Sequence, residues 1–136
     1  MTQQHQQIVL VSVFAICVYL WTCLRVAGAR RKYGVLAPAI SGDPVFDRHV
    51  RVQTNTLEWL PVFLAALWMA SLYWAQTVAA LLGLLWPLAR IFYAVAYVND
   101  PAKRSPGFGL QAASALGLLL LAMIGAVQAM MVTGGV

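Results

Sequence analysis

Arg51, Asn55, Glu58 and Trp59 are spaced i, i+4, i+7, i+8, so a helix through them carries all four on one face. At ~1.5 Å per residue the stripe climbs about 10 Å along the helix. Further on, Arg90, Tyr93 and Tyr97 are spaced i, i+3, i+7, again on one face. If the two segments run antiparallel as a hairpin, Arg90 is the deepest member of its stripe and Tyr97 the shallowest. Glu58 and Arg90 then fall at comparable depth and are natural partners. Two readings follow. In one, a polar seam holds helices together and Glu58 simply neutralises Arg90. In the other, the seam is a ligand site. Arg51, Arg90, Arg104 and the run Arg30, Arg31, Lys32 outnumber Glu58. A surplus of half-buried arginine calls for an anion, and the planar guanidinium fork matches carboxylates. A ligand bearing carboxylates, bound where the helices meet water, is the sharper inference. Tyr93 and Tyr97 also suit the aromatic belt of a membrane interface.

The elements that must position these side chains follow from composition. The chain has 136 residues, 62 % of them hydrophobic and 10 % charged. An ordinary soluble domain is nearer ~45–50 % apolar and ~25 % charged. This excludes a soluble globular domain, a disordered chain and a conventional nucleic-acid binder, despite the net charge of +5. All nine Lys and Arg lie between Arg25 and Arg104. His5, His49, Cys17 and Cys23 have neither zinc-ligand nor CxxC spacing, so no metal site is expected.

The first apolar run, residues 8–24, is uncharged and lacks the flanks of a cleaved signal peptide, so it reads as a retained span. Residues 59–89 are also uncharged, too long for one span and too short for two. With the apolar residues that follow they make a helical hairpin turning near Gln76, with Tyr73 and Trp74 at the interface. Pro61 and Pro87 kink rather than break its arms. A last uncharged run, residues 108–132, is the fourth span. The expected fold is therefore an all-α integral membrane protein, a single four-transmembrane-helix bundle over 1–136, with spans at about 8–27, 48–75, 77–98 and 108–132. The basic residues between spans fall on two same-side loops, which the positive-inside rule puts in the cytoplasm. Both termini are expected on the opposite side.

Residues 47–64, DRHVRVQTNTLEWLPVFL, resemble the signature of the membrane-associated proteins in eicosanoid and glutathione metabolism (MAPEG). The shared pattern is an acidic residue, Arg, then RxQxNxxE, an aromatic, and Pro in a hydrophobic run. Ala29-Arg30-Arg31, Ala89-Arg90 with Tyr93 and Tyr97, and Lys103-Arg104-Ser105 fit in order and spacing. The resemblance implies a homotrimer of four-helix protomers that binds glutathione as cosubstrate between subunits near the cytosolic face. It assigns Arg51, Asn55, Glu58, Tyr93, Tyr97 and Arg104 to one subunit, and Arg30 and Gln53 to its neighbour. Arg104 matches the arginine proposed to stabilise the glutathione thiolate, and Ser105 a serine beside it in the prostaglandin-forming branch. Trp59 stands where glutathione-conjugating members carry Tyr, so one hydroxyl contact to the tripeptide is missing.

The residue chemistry agrees with this assignment. Glutathione has two carboxylates and one ammonium, matching several arginines and one glutamate. Its thiol, with an ordinary pKa near ~8.5, needs a cation to ionise at neutral pH. The reading is a membrane-bound glutathione transferase, with peroxidase activity on lipid hydroperoxides as a second outlet for the same thiolate. Its lipophilic electrophile enters from the lipid bilayer. The competing expectations are a non-enzymatic lipid-binding member of the family and a small four-span drug/proton exporter. Arg104 and the full Arg51, Asn55, Glu58 set speak against the first, and a first span without a carboxylate against the second.

Overall fold

The structure, a computed structural model, describes residues 5–134. It consists of four long helices, α1 (Gln6–Tyr33), α2 (Pro44–Ser71), α3 (Gln76–Asn99) and α4 (Ser105–Thr133), with a 3₁₀ turn at Pro101–Arg104 before the last. The expectation about the two termini concerns in part residues 1–4 and 135–136, which lie outside the described residues.

Two boundaries have a clear local cause. Helix α1 runs past the expected limit at residue 27 and stops at Gly34, whose φ of 67° is the left-handed conformation that closes helices. The Asp43 carboxylate accepts from the backbone N–H of Val45 (2.8 Å) and Phe46 (3.1 Å), and Pro44 takes the first helical position. Those two signals start α2 four residues before the expected 48. Asp47 then braces the incoming loop, accepting from Ser41 Oγ (2.9 Å) and the Gly42 N–H (3.1 Å).

The hairpin turn lies at residues 72–75, with Gln76 already the first residue of α3, so the expected turn near Gln76 moves back by a few residues. The anchor is Trp74, whose indole donates to the Leu121 carbonyl at 2.8 Å and pins the reversal to α4. Pro61 and Pro87 sit inside continuous helices, as expected. At the other end, Ser105 starts α4 three residues before the expected 108.

Among the described residues three segments, Gln6–Tyr33, Gln76–Asn99 and Pro101–Thr133, are long and apolar enough to cross a membrane. Helix α2 is as long as α1, at 28 residues, but carries the Arg51, Asn55, Glu58 stripe, which dilutes its hydropathy. Both helices are about 42 Å long, more than the ~30 Å of a hydrocarbon core. Exposed Leu10, Val13, Ile16 and Leu20 on α1 and Leu116, Leu119, Leu120 and Met123 on α4 give the bundle an apolar exterior. Cys17 is exposed there too, rather than filling the core as a small apolar residue would, while Cys23 is half-buried.

The core centres on Phe63 of α2 stacked flat on Trp86 of α3, with ring centroids 4.6 Å apart. Around the pair pack Ile8, Ala15, Ala66, Leu67, Ala79, Ala115 and Leu118. Small residues let the helices approach, and side-chain donors stitch them together. Trp68 Nε1 donates to Ser12 Oγ at 3.1 Å, Ser114 Oγ to the Leu82 carbonyl at 2.7 Å, and Arg48 to the Val98 carbonyl at 3.0 Å.

Candidate functional site

At the basic end of the bundle, the α2 and α3 stripes and the start of α4 enclose a groove of 430 Å³. Arg51 and Asn55 come from α2, Tyr93 and Tyr97 from α3, and Arg104 and Ser105 from the 3₁₀ turn and first residue of α4. Six residues named from spacing and resemblance thus meet around one space. Phe108 and Gly109 complete the wall and were not anticipated. The nearest signal was Gly107 inside a helical run, a residue that costs helix stability and so points to a packing reason.

Gly107 makes a close backbone approach. A Cβ at this position would come within 2.8 Å of both Tyr93 Cα and Tyr93 N, backbone atoms that cannot give way. The absence of a side chain therefore lets α4 lie directly on α3 beside the groove. Gly107→Ala is expected to lower stability by about 1–3 kcal/mol through overpacking. A drop in thermal melting temperature in detergent checks this, and an unchanged melt contradicts the close contact.

The two guanidinium groups flank the opening. Arg104 is exposed and lies over the Tyr97 ring at 5.8 Å from its centroid. Arg51 stands 3.9 Å from Glu58 Oε1, with both side chains half-exposed. The tyrosine rings are 5.6 Å apart, and Tyr93 is 6.3 Å from Phe108. The groove thus offers two cations, an amide and aromatic walls, a surface for an anionic ligand with an apolar portion.

Glu58 does not pair with Arg90, contrary to the expectation from depth. Arg90 is fully buried beneath the groove, not on its wall. Two of its nitrogens donate to Asn55 Oδ1, at 3.0 and 3.1 Å, and one also to Thr56 Oγ1 at 2.7 Å. Asn55 Nδ2 in turn donates to Glu58 Oε2 at 3.2 Å, so a neutral amide stands between the charges. The physical reason is desolvation: Asn55 and Thr56 satisfy Arg90 without a second buried charge, and the carboxylate stays half-exposed beside Arg51, outside the lining of the groove.

Three further residues lie outside the groove of their own chain. Arg30 donates to the carbonyls of Val35 (3.2 Å) and Ala39 (2.7 Å) and stacks over Phe46, tying down the loop between α1 and α2. Gln53 faces α1, donating to Tyr19 Oη at 3.2 Å and contacting Cys23 Sγ at 3.8 Å. Trp59 packs edge-on against Phe108 at 5.7 Å, behind the groove wall.

The fold and groove define a class: an all-helical integral membrane protein with a basic groove at one end of its bundle. The MAPEG family model matches residues 8–124, and the chain belongs to the MAPEG family. It is 43 % identical over 115 residues to the uncharacterized protein sll1147 of Synechocystis, covering 85 % of this chain and 84 % of that one. It is 40 % identical over 117 residues to human microsomal glutathione S-transferase 2, covering 85 % and 77 %. With rat leukotriene C4 synthase it shares 33 % identity over 137 residues, covering 95 % and 91 %.

Proposed function

We propose that this protein is a membrane-bound glutathione transferase that presents the glutathione thiolate to lipophilic electrophiles or lipid hydroperoxides. The observation that carries the reading is the convergence of Arg51, Asn55, Tyr93, Tyr97 and Arg104 on one groove. Relatives named as a glutathione transferase and a leukotriene C4 synthase support it. Arg51 takes a glutathione carboxylate, and Glu58, held by Asn55 beside Arg51, takes the ammonium. Arg104 stands at the sulfur, where its charge favours the thiolate. The thiol proton leaves to water, the sulfur lone pair forms a C–S bond with the electrophile, and the displaced group departs with the bonding electrons. With a hydroperoxide, the thiolate attacks the terminal oxygen and the O–O bond breaks, releasing an alcohol. A second glutathione then forms the disulfide and releases water. Arg30 and Gln53 point away from the groove of their own subunit, which accords with a homotrimer in which each serves its neighbour's site.

The direct test is an ultraviolet difference spectrum of purified protein titrated with glutathione at neutral pH. Thiolate absorbance that saturates with added glutathione is expected. A titration without thiolate absorbance overturns the transferase reading and favours a non-enzymatic lipid-binding member.

Sidedness is part of the proposal. The loop containing Ser41 and the turn containing Arg104 face the cytoplasm, whereas Thr133 lies across the membrane. Single cysteines at Ser41 and Thr133, introduced after Cys17 and Cys23 are replaced, are expected to react from opposite faces with an impermeant thiol reagent. Labelling of Thr133→Cys from the cytoplasmic face alone would invert the protein and move the site with it.

A further inference from the structure

Arg90 is a cation with no exposed surface and, among the described residues, no carboxylate within ion-pair distance. Its Nε is also without a partner. A buried charge satisfied by neutral groups alone is costly, and an apolar side chain of similar volume would serve packing better. The geometry around it has a direction. Thr56 spends its hydroxyl proton on the Val52 carbonyl at 2.7 Å, leaving a lone pair for Arg90. Arginine has only donors, so the two nitrogens converging on Asn55 permit only the oxygen of that amide to face inward. The Asn55 nitrogen is thereby turned outward to Glu58 Oε2. The same guanidinium lies 4.4 Å from the Tyr93 ring centroid, backing a second wall of the groove.

We propose that Arg90 is a positioning residue of the ligand groove: without touching glutathione, it locks the Asn55 amide so that Asn55 shows a donor outward and aims the Glu58 carboxylate at the ligand ammonium. This rests on the glutathione reading above and adds to it the group that sets the polarity of its recognition end. The planar fork matters as much as the charge, because a lysine ammonium grips the Asn55 oxygen at one point and leaves the amide free to turn.

The experiment measures glutathione Kd by calorimetry and kcat with an aryl halide electrophile, on full-length protein in nanodiscs. Arg90→Lys, which keeps the buried cation, is expected to raise Kd about tenfold while kcat at saturating glutathione changes less than about twofold. Asn55→Ala is expected to raise Kd similarly, and the double variant no further, because Arg90 acts through Asn55. A purely structural Arg90 would instead lower the melting temperature and the active fraction, with Kd per active site unchanged. A folded Arg90→Lys with wild-type Kd, or two effects that multiply in the double variant, overturns the proposal. Should Arg90→Lys not fold, Thr56→Val, which removes one contact to the guanidinium, is expected to raise Kd about threefold. An unchanged Kd in that variant overturns the proposal too. Wild type that fails to bind glutathione, with neither heat at two temperatures nor retention in equilibrium dialysis, overturns the glutathione reading and this inference together. Normal wild-type binding with insensitive variants overturns only the role of Arg90.

Discussion

Replacing Arg104 with alanine is expected to lower kcat at pH 7 by about 20-fold, while glutathione Kd changes by less than about threefold. The asymmetry follows from what the guanidinium stabilises. The neutral thiol of bound glutathione needs no cation, whereas the thiolate does, so the charge acts on ionisation far more than on capture. A cation beside the sulfur lowers its pKa, and removing it lets the pKa climb back towards ~8.5. The deficit is therefore expected to be largest at and below neutral pH and to shrink as pH rises through about 9. Arg104 is exposed over Tyr97, clear of the Asn55 network, so the substitution disturbs little else. Arg51→Ala is expected to act mainly on Kd. A pH–rate profile of the two variants separates the roles, and equal, purely binding effects at both positions would refute the division.

Glu58→Gln is expected to fold normally and to weaken glutathione about tenfold, or about 1.4 kcal/mol. The figure stays modest because Arg51 and Asn55 already share the carboxylate, so the ligand ammonium is one of three partners. Folding survives because the glutamine oxygen still accepts from Asn55 Nδ2, and no buried cation is stranded, since Arg90 is satisfied by Asn55 and Thr56. The discriminating ligand is a glutathione analogue lacking the γ-glutamyl amine. Wild type is expected to bind it poorly, and Glu58→Gln to lose most of its preference for authentic glutathione. A preference left intact in a well-folded Glu58→Gln protein would make this residue a partner of Arg51 and nothing more.

The helical period alone was enough to put Arg51, Asn55 and Glu58 on one side of α2, and Arg90, Tyr93 and Tyr97 on one side of α3. Facing within one helix depends only on local backbone geometry, which a chain this apolar adopts to satisfy its own amides. For the same reason the four elements were legible from uncharged runs, and caps such as Asp43-Pro44 moved their ends by only a few residues. Which side chain meets which neighbour was not legible, because it depends on how far each helix turns about its axis and how closely it approaches the next. Gly107 seated on the Tyr93 backbone and Phe63 stacked on Trp86 set those rotations, and both contacts join residues distant in the chain. They bring Phe108 to the groove, turn Gln53 towards α1 and slide the Asn55 amide between Glu58 and Arg90. Pairing by depth missed that amide, because the balance between leaving a carboxylate half-exposed and burying it against a guanidinium is struck only once the helices have packed.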